Sequence, residues 1–271
     1  MSNIIALNRF NSAVLNANNA LETYKLKASF RGCSQADRKK FKRSKCILLI
    51  NTRQALHEGG KLGAILELIN QQFKKCTILI EDTAQRYLFA IYDNKPVDYF
   101  FNSCIDEGDR WYHRNTDIIR ETLTIPYQVS RWNQWSSHSQ FSYYHDKIVT
   151  LYADNSEFRE AIQLTANTFL KRADELGYLR NREKAIDLYS QYVMEQCIAM
   201  CLWAEEGFEF ECKTSKRGAA LIAAYEKIMK PAQSALKSIL ILLENCRVEQ
   251  SVDQIRSYKQ IFNSNVFLHA A

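Results

Sequence analysis

Glycine and proline are scarce here, with 8 and 3 residues in a chain of 271. So small a supply of turn formers excludes a fold of many short strands and tight hairpins, and favours long helices. No run of about 18 apolar residues occurs, so no transmembrane helix is expected. Met1–Val14 lacks both the basic start and the continuous apolar stretch of a secretory leader, which makes a cytoplasmic protein the expectation. The eight cysteines, at 33, 46, 76, 104, 197, 201, 212 and 246, contain no CxxC pair. Several lie on apolar runs, so they are expected as reduced, buried thiols. Cys197 and Cys201 share a helix face, but with no histidine or third cysteine nearby no metal site is expected.

Familiar nucleotide and hydrolase signatures are missing too. No Walker loop and no GxGxxG follow a strand. HEGG at 57–60 is not a HExxH zinc motif, and no histidine sits in a GxSxG-like context. Lys213-Thr-Ser-Lys216-Arg has a slight likeness to the lysine loop of class I aminoacyl-tRNA synthetases, against the plainer reading of a solvated basic turn.

What is present is ordinary globular composition, 46% hydrophobic and 24% charged, with a formal charge of +6. That charge permits a nucleic-acid partner without demanding one. The cations are unevenly spread. Arg38, Lys39, Lys40, Lys42 and Arg43 crowd a basic segment that reads as a loop feeding the first core strand, where phosphate contacts would give salt-dependent affinity. A second group, Arg110, Arg114 and Arg120, is interleaved with Trp111, Tyr112 and His113. It reads either as a nucleic-acid face or as a helix with buried aromatics.

The organising stretch is Cys46–Asp82. Cys46–Ile50 is a short apolar run, Asn51–Gly60 a polar loop, Leu62, Ile65, Leu66 and Ile69 recur at helical spacing, and Thr77–Ile80 is a second β-branched run. This is a βαβ unit, which places two parallel strands under a crossover helix. Ligands of such sheets bind beyond the carboxyl ends of the strands, so Asn51–His57 and Glu81–Arg86 are the residues to watch. Around it, residues 1–30 read as peripheral. Tyr87–Tyr92 is open between strand and helix, 95–109 reads as helix, and Ile125–Trp135 as a strand and turn. Asn155–Leu176, Asn181–Ala204 and Ala219–Cys246 read as helices. The expected architecture is α/β: a small parallel sheet with helices on both faces and a helical C-terminal third. Its parts are a peripheral helix and basic segment (1–45), a core (46–212) and a helical extension (213–271) within one domain.

Three segments carry a resemblance to a known family. The strand–loop–helix–strand runs ungapped to INQQF at 69–73 and Asp82-Thr83. Asp154-Asn-Ser-Glu157-Phe158-Arg-Glu-Ala161 resembles the start of a helix that precedes the family's catalytic helix. Gln191-Tyr192-Val193-Met194-Glu195-Gln196 resembles its YVxxE helix. In this order they resemble the tRNA-dependent cyclodipeptide synthases, over about residues 45–200. The resemblance implies a Rossmann-type core like that of tyrosyl- and tryptophanyl-tRNA synthetases. It also implies two aminoacyl-tRNA substrates, no ATP and no cofactor; no membrane partner and a monomer are expected alongside. The family moves the first aminoacyl group to a serine past the first strand, and the second amine then attacks.

By the same likeness Asn51 takes the serine's seat, where an amide cannot act as nucleophile. Tyr192 falls on the family tyrosine, and Gln196 on the glutamate position, with Glu195 one residue before it. The second family tyrosine has no counterpart between Phe208 and Gly218. Two explanations stand. Asn51 acts as oxyanion donor or amine holder in a direct transfer, or the register shifts by one and Thr52 with Glu195 does the conventional chemistry. A module that binds tRNA or another RNA without catalysis is the alternative. The implied substrate pocket comprises Ile47, Leu49, Gln54, Leu79, Glu81, Asp82 and Ala199. Glu81, an acid among apolar neighbours, points either to a cationic substrate side chain or to pairing with Arg86.

Overall fold

The computed structural model describes residues 24–93, 95–175, 181–232 and 234–247. The chain divides into two units, Leu26–Glu244 and the two ends, Met1–Lys25 with Asn245–Ala271. The sheet core and its helices belong to the first. Residues 1–23, expected to be peripheral, lie outside the described residues.

Six strands form one sheet: β1 (Tyr24–Arg31), β2 (Lys45–Ile50), β3 (Lys75–Ile80), β4 (Tyr127–Arg131), β5 (Phe210–Lys213) and β6 (Lys237–Arg247). Their order is β1-β6-β5-β2-β3-β4. The pairs β2–β3, β3–β4, β2–β5 and β5–β6 are parallel. The α/β sheet between helices expected from the sequence is therefore what forms, and its founding unit is the βαβ read at 46–82. In it, α2 (Gly59–Gln72) joins β2 to β3 and buries Leu62, Ile65, Leu66 and Ile69.

Period-two alternation sorts the strands onto two cores. Cys46, Leu48 and Ile50, with Cys76, Ile78 and Ile80, face α2 and α4 (Phe101–Thr122). On that side Phe41, Phe73 and Phe210 pack ring against ring at 4.8–5.7 Å. Ile47, Leu49 and Leu79 face the opposite way, onto α8 (Arg182–Glu205). That helix is apolar nearly all round because α3 (Arg86–Asp93), α6 (Phe141–Asp154), α7 (Ser156–Glu175) and α9 (Ala219–Ala224) surround it. Its start is capped by Asn181, which accepts from the Lys184 N–H at 3.0 Å. Its end is turned by Gly207 at φ +74°, a conformation that favours glycine. Trp132 and Trp135 of the short α5 (Trp132–Ser136) meet Trp203 edge-on, at 6.2 and 6.3 Å between centroids.

Several local readings are corrected. Tyr24–Arg31 is a strand. The basic segment is a helix, α1 (Gln35–Phe41), started by a capping box between Ser34 and Asp37. Tyr87–Tyr92 is helical, and 101–122 is one continuous helix. Residues 219–246 are not helical throughout: α9 ends in a π turn at Tyr225–Met229, and Lys237–Arg247 is β6. Cys33 is half-buried, and Cys46, Cys76, Cys104, Cys197, Cys201 and Cys212 are buried free thiols.

Gly108 of α4 leaves no room for a side chain. A Cβ there would clash with the Arg131 guanidinium and come 2.7 Å from Asp82 Oδ2, and those two groups are themselves ion-paired at 2.5 Å. Gly108→Ala is therefore expected to destabilise the fold by about 1–3 kcal/mol despite alanine's better helix propensity, measured as a lower urea midpoint with an unchanged m-value.

Candidate active site

The strand order reverses beside β2: the chain leaves it for β3 and β4, then returns to lay β5 on its other side. A crevice is expected at such a switch point, beyond the carboxyl ends of the strands. A cavity of about 230 Å³ lies there. The same alternation that built the α8 core decides its lining. Leu49 and Asn51 come from β2 and its extension, Glu81 follows β3, and Glu211 and Lys213 come from β5. From α8, Tyr189, Tyr192, Gln196 and Trp203 close the other wall. Gln54, His57 and Thr214–Lys216 complete the rim.

The charges here are unequal in their partners. Glu211 holds Lys213 at 3.2 Å and Arg217 at 2.5 Å. Burial alone would raise its pKa, but the two cations overcome that and hold it below the ordinary value. Glu81 makes no ion pair among the described residues. Burial pushes its pKa to about 7, with Lys213 pulling it down and Glu211 pushing it up. Arg86, the expected protein partner of Glu81, is bound elsewhere. Beside Glu81, burial holds the Tyr192 phenol well above its usual range. It stays protonated and accepts from Gln196 Nε2 at 2.9 Å.

Of the residues named from sequence, Leu49, Asn51, Gln54, Glu81, Tyr192 and Gln196 meet at this cavity. Ile47, Leu79 and Ala199 lie deeper, in the core beneath it. Thr52 falls on the opposite parity: it is buried, and its Oγ1 has no hydrogen-bond partner among the described residues. Asp82 is a structural acid that accepts from the Thr83 N–H at 2.7 Å and pairs with Arg131. Glu195 is turned away into a clamp. Both guanidinium nitrogens of Arg86 reach it, at 3.0 and 2.5 Å, Tyr87 Oη at 2.7 Å and Trp132 Nε1 at 2.5 Å. The one-residue offset from Gln196 is a rotation of about 100° on a helix, which is why the two side chains part company.

The cations expected to meet nucleic acid form two groups. Arg38, Lys39, Lys40, Lys42 and Arg43 are exposed on and just after α1, at the amino end of β2, the end opposite the cavity. Arg110, Arg114 and Arg120 are exposed on α4, and each faces an acid: Glu107 at 2.8 Å, Glu58 at 2.8 Å and Asp117 at 3.8 Å. No helix among the described residues is long and apolar enough to cross a membrane.

Sequence reasoning gave no role to Glu211, had His57 only as the last residue of the loop to watch, and had Lys213 and Thr214 only within the basic turn at 213–217. His57 is buried in the loop after β2. Its Nδ1 lies 2.9 Å from Asn51 N and 3.1 Å from Asn51 O, and its Nε2 lies 3.1 Å from Thr214 Oγ1. Trp111 Nε1 donates to its carbonyl at 2.9 Å. Asn51 Oδ1 accepts from the Arg53 N–H at 3.0 Å, closing a tight turn, while its Nδ2 makes no hydrogen bond among the described residues.

Among solved structures, a cyclodipeptide synthase (CDPS) from Fluoribacter dumoffii is 33% identical, with a TM-score of 0.77, over 83% of this chain and 100% of that one. A cyclodipeptide synthase from Candidatus Glomeribacter gigasporarum, solved bound to Phe-tRNAPhe, superposes with a TM-score of 0.65 at 16% identity, over 80% and 95% of the two chains. A Mycobacterium tuberculosis protein, whose structure relates cyclodipeptide synthetases to type I tRNA synthetases, gives 0.60 at 10% identity over 81% and 94%. The last two show a shared fold. No protein-family model and no curated protein sequence matches the chain.

Proposed function

Because the chain belongs to the cyclodipeptide synthase family, we propose that it takes aminoacyl groups from two charged tRNAs and joins them into a cyclic dipeptide, without ATP or a cofactor. The observation that carries this reading is the cavity at the β2–β5 switch point, where a protonated tyrosine, an amide and an unpaired carboxylate converge. Tyr192 and Gln196 hold the amino group of the bound aminoacyl moiety. Asn51, an amide in the seat of the family serine, donates from Nδ2 to the oxygen that gains charge as the ester carbonyl is attacked.

Glu81 names the substrate class. A buried carboxylate without a cation is costly, and here the nearest lysine is already held by Glu211. A substrate side chain ending in a guanidinium, ammonium or imidazolium supplies the missing charge, with Leu49 packing along its stem. Arg, Lys and His are therefore the first residues to test. The decisive experiment is expression in a bacterial host, with mass spectrometry of the medium for new cyclic dipeptides. A product containing a basic residue is expected. No new amide product, with tRNA still bound in a gel shift, would leave a binding module instead.

Binding of tRNA is assigned to the exposed cations of α1 and α4. Neutralising Lys39, Lys40, Lys42 and Arg43 together is expected to weaken tRNA binding and to reduce the slope of log K against log salt by up to about 3. An unchanged slope would confine that run to solubility.

A further inference from the structure

With Asn51 unable to carry an acyl group, the cavity still contains hydroxyls: Thr165, Tyr189, Tyr192, Thr214 and Ser215. Thr165 Oγ1 donates to the Ala161 carbonyl at 2.8 Å. The two tyrosines are held protonated by burial. Thr214 differs, because its Oγ1 lies 3.1 Å from His57 Nε2, and His57 is fixed on its far side by the backbone of Asn51. A hydroxyl, an imidazole and a group orienting the imidazole are the parts of an activated nucleophile. They reach this point from different elements, the loop after β2 and the end of β5. Gln54 Oε1 lies 3.2 Å from the same hydroxyl and gives it a resting partner.

We infer that Thr214 is the acyl-accepting nucleophile of this chain and His57 its general base, a nucleophile moved from the end of β2 to the end of β5. The inference rests on the reading of the protein as an aminoacyl-tRNA-consuming enzyme. Burial keeps the His57 ring neutral. At rest Nδ1 accepts from the Asn51 N–H at 2.9 Å, which leaves the ring proton on Nε2. In the other tautomer, whose Nδ1–H donates to the Asn51 carbonyl 3.1 Å away, Nε2 is free to take the Thr214 proton as Oγ1 attacks the ester carbonyl of an aminoacyl-tRNA. The Oγ1–C bond forms, the bond from that carbon to the terminal ribose oxygen breaks, and Nε2 returns the proton to the ribose oxygen as it leaves. The amine of the second aminoacyl-tRNA then attacks the threonyl ester. The peptide bond forms, the Oγ1–C bond breaks, and the amine's proton passes through Nε2 back to Oγ1. Asn51 Nδ2 serves the oxyanion in both halves.

The test uses the full chain and a tRNA pool charged with all twenty amino acids, quenched in acid. Intact mass and peptide mapping locate any aminoacyl ester, and dipeptide is measured in the same samples. The expected result is an ester on Thr214 in the wild type and in Thr214→Ser, none in Thr214→Val, and dipeptide output at least about 100-fold lower in the valine variant. His57→Gln should slow ester formation by at least about 10-fold without moving it to another residue. An ester mapped elsewhere, or a folded Thr214→Val within 10-fold of wild-type output, overturns the inference and leaves the proposed function standing. If Thr214→Val fails to fold, the wild-type mapping decides alone. Wild type giving neither ester nor dipeptide overturns both.

Discussion

Glu195→Ala is expected to cost about 3–5 kcal/mol of folding free energy, the usual result of removing one partner from a buried ion pair. Glu195 is 6% exposed. It receives a bidentate Arg86, the Tyr87 hydroxyl and the Trp132 indole, so truncation strands a half-buried guanidinium, a half-buried hydroxyl and a buried indole N–H at once. For a chain of this size the melting temperature should fall by about 10 °C. Glu195→Gln keeps an acceptor and should lose roughly half as much. The measurement also separates two roles for this residue. If Glu195→Ala melts like wild type but abolishes dipeptide formation, the clamp is catalytic rather than structural. Loss of stability with activity retained below the melting point is the expected outcome.

Glu81→Gln is expected to act in opposite directions on substrate choice and on stability. Removing the carboxylate that faces a cationic side chain should lower kcat/KM for a basic aminoacyl-tRNA by about 100-fold, in line with the cost of breaking a buried charge pair, and leave neutral competitors within a few fold. Unchanged preference would end the assignment of Glu81. The stability effect follows from its raised pKa, about 7 against an ordinary 4.5. Below pH 4.5 the carboxyl is protonated folded or unfolded, and nothing is lost. As pH rises toward 7 the unfolded chain releases the proton freely while the folded chain resists, so stability declines across that window. Above it the deficit is about 3 kcal/mol. Glu81→Gln should therefore melt higher than wild type at pH 8 and level with it at pH 4, where a difference persisting at low pH would place the effect elsewhere. A bound cation reverses the burial penalty, so binding of a basic substrate near pH 6.5 should release a proton, readable by calorimetry in buffers of different ionisation enthalpy.

How far the sequence foretold this depended on parity and length. The βαβ unit at 46–82 is legible because its apolar runs and helical spacing are undiluted, and α7 and α8 because their periodic pattern is long. β5 is not. In Phe210-Glu-Cys-Lys213 every second side chain is charged, because Glu211 and Lys213 project into the cavity, and four residues leave no pattern to detect. β6 follows a helix, and its apolar run Ile239–Leu243 does not by periodicity alone separate strand from buried helix. α1 reads as a loop because its exposed face is almost wholly cationic; the signal available was the Ser34–Asp37 spacing of a capping box. At the site, Asn51, Tyr192 and Gln196 are found through resemblance. His57 stands out in the sequence as the start of HEGG and the end of the loop after the first strand, but its pairing with Thr214 joins positions 157 residues apart, which no local spacing reveals.

The tryptophans give the molecule an optical handle. Trp203 lines the cavity and touches Trp132 and Trp135 edge-on, so three of the four indoles share excitation at one wall of the site. The fourth, Trp111, sits in the opposite core and holds the His57 carbonyl. Occupation of the cavity should therefore shift or quench the protein's own emission without any attached dye. Trp111→Phe should leave that response in place while dimming the constant background, and Trp203→Phe should erase it.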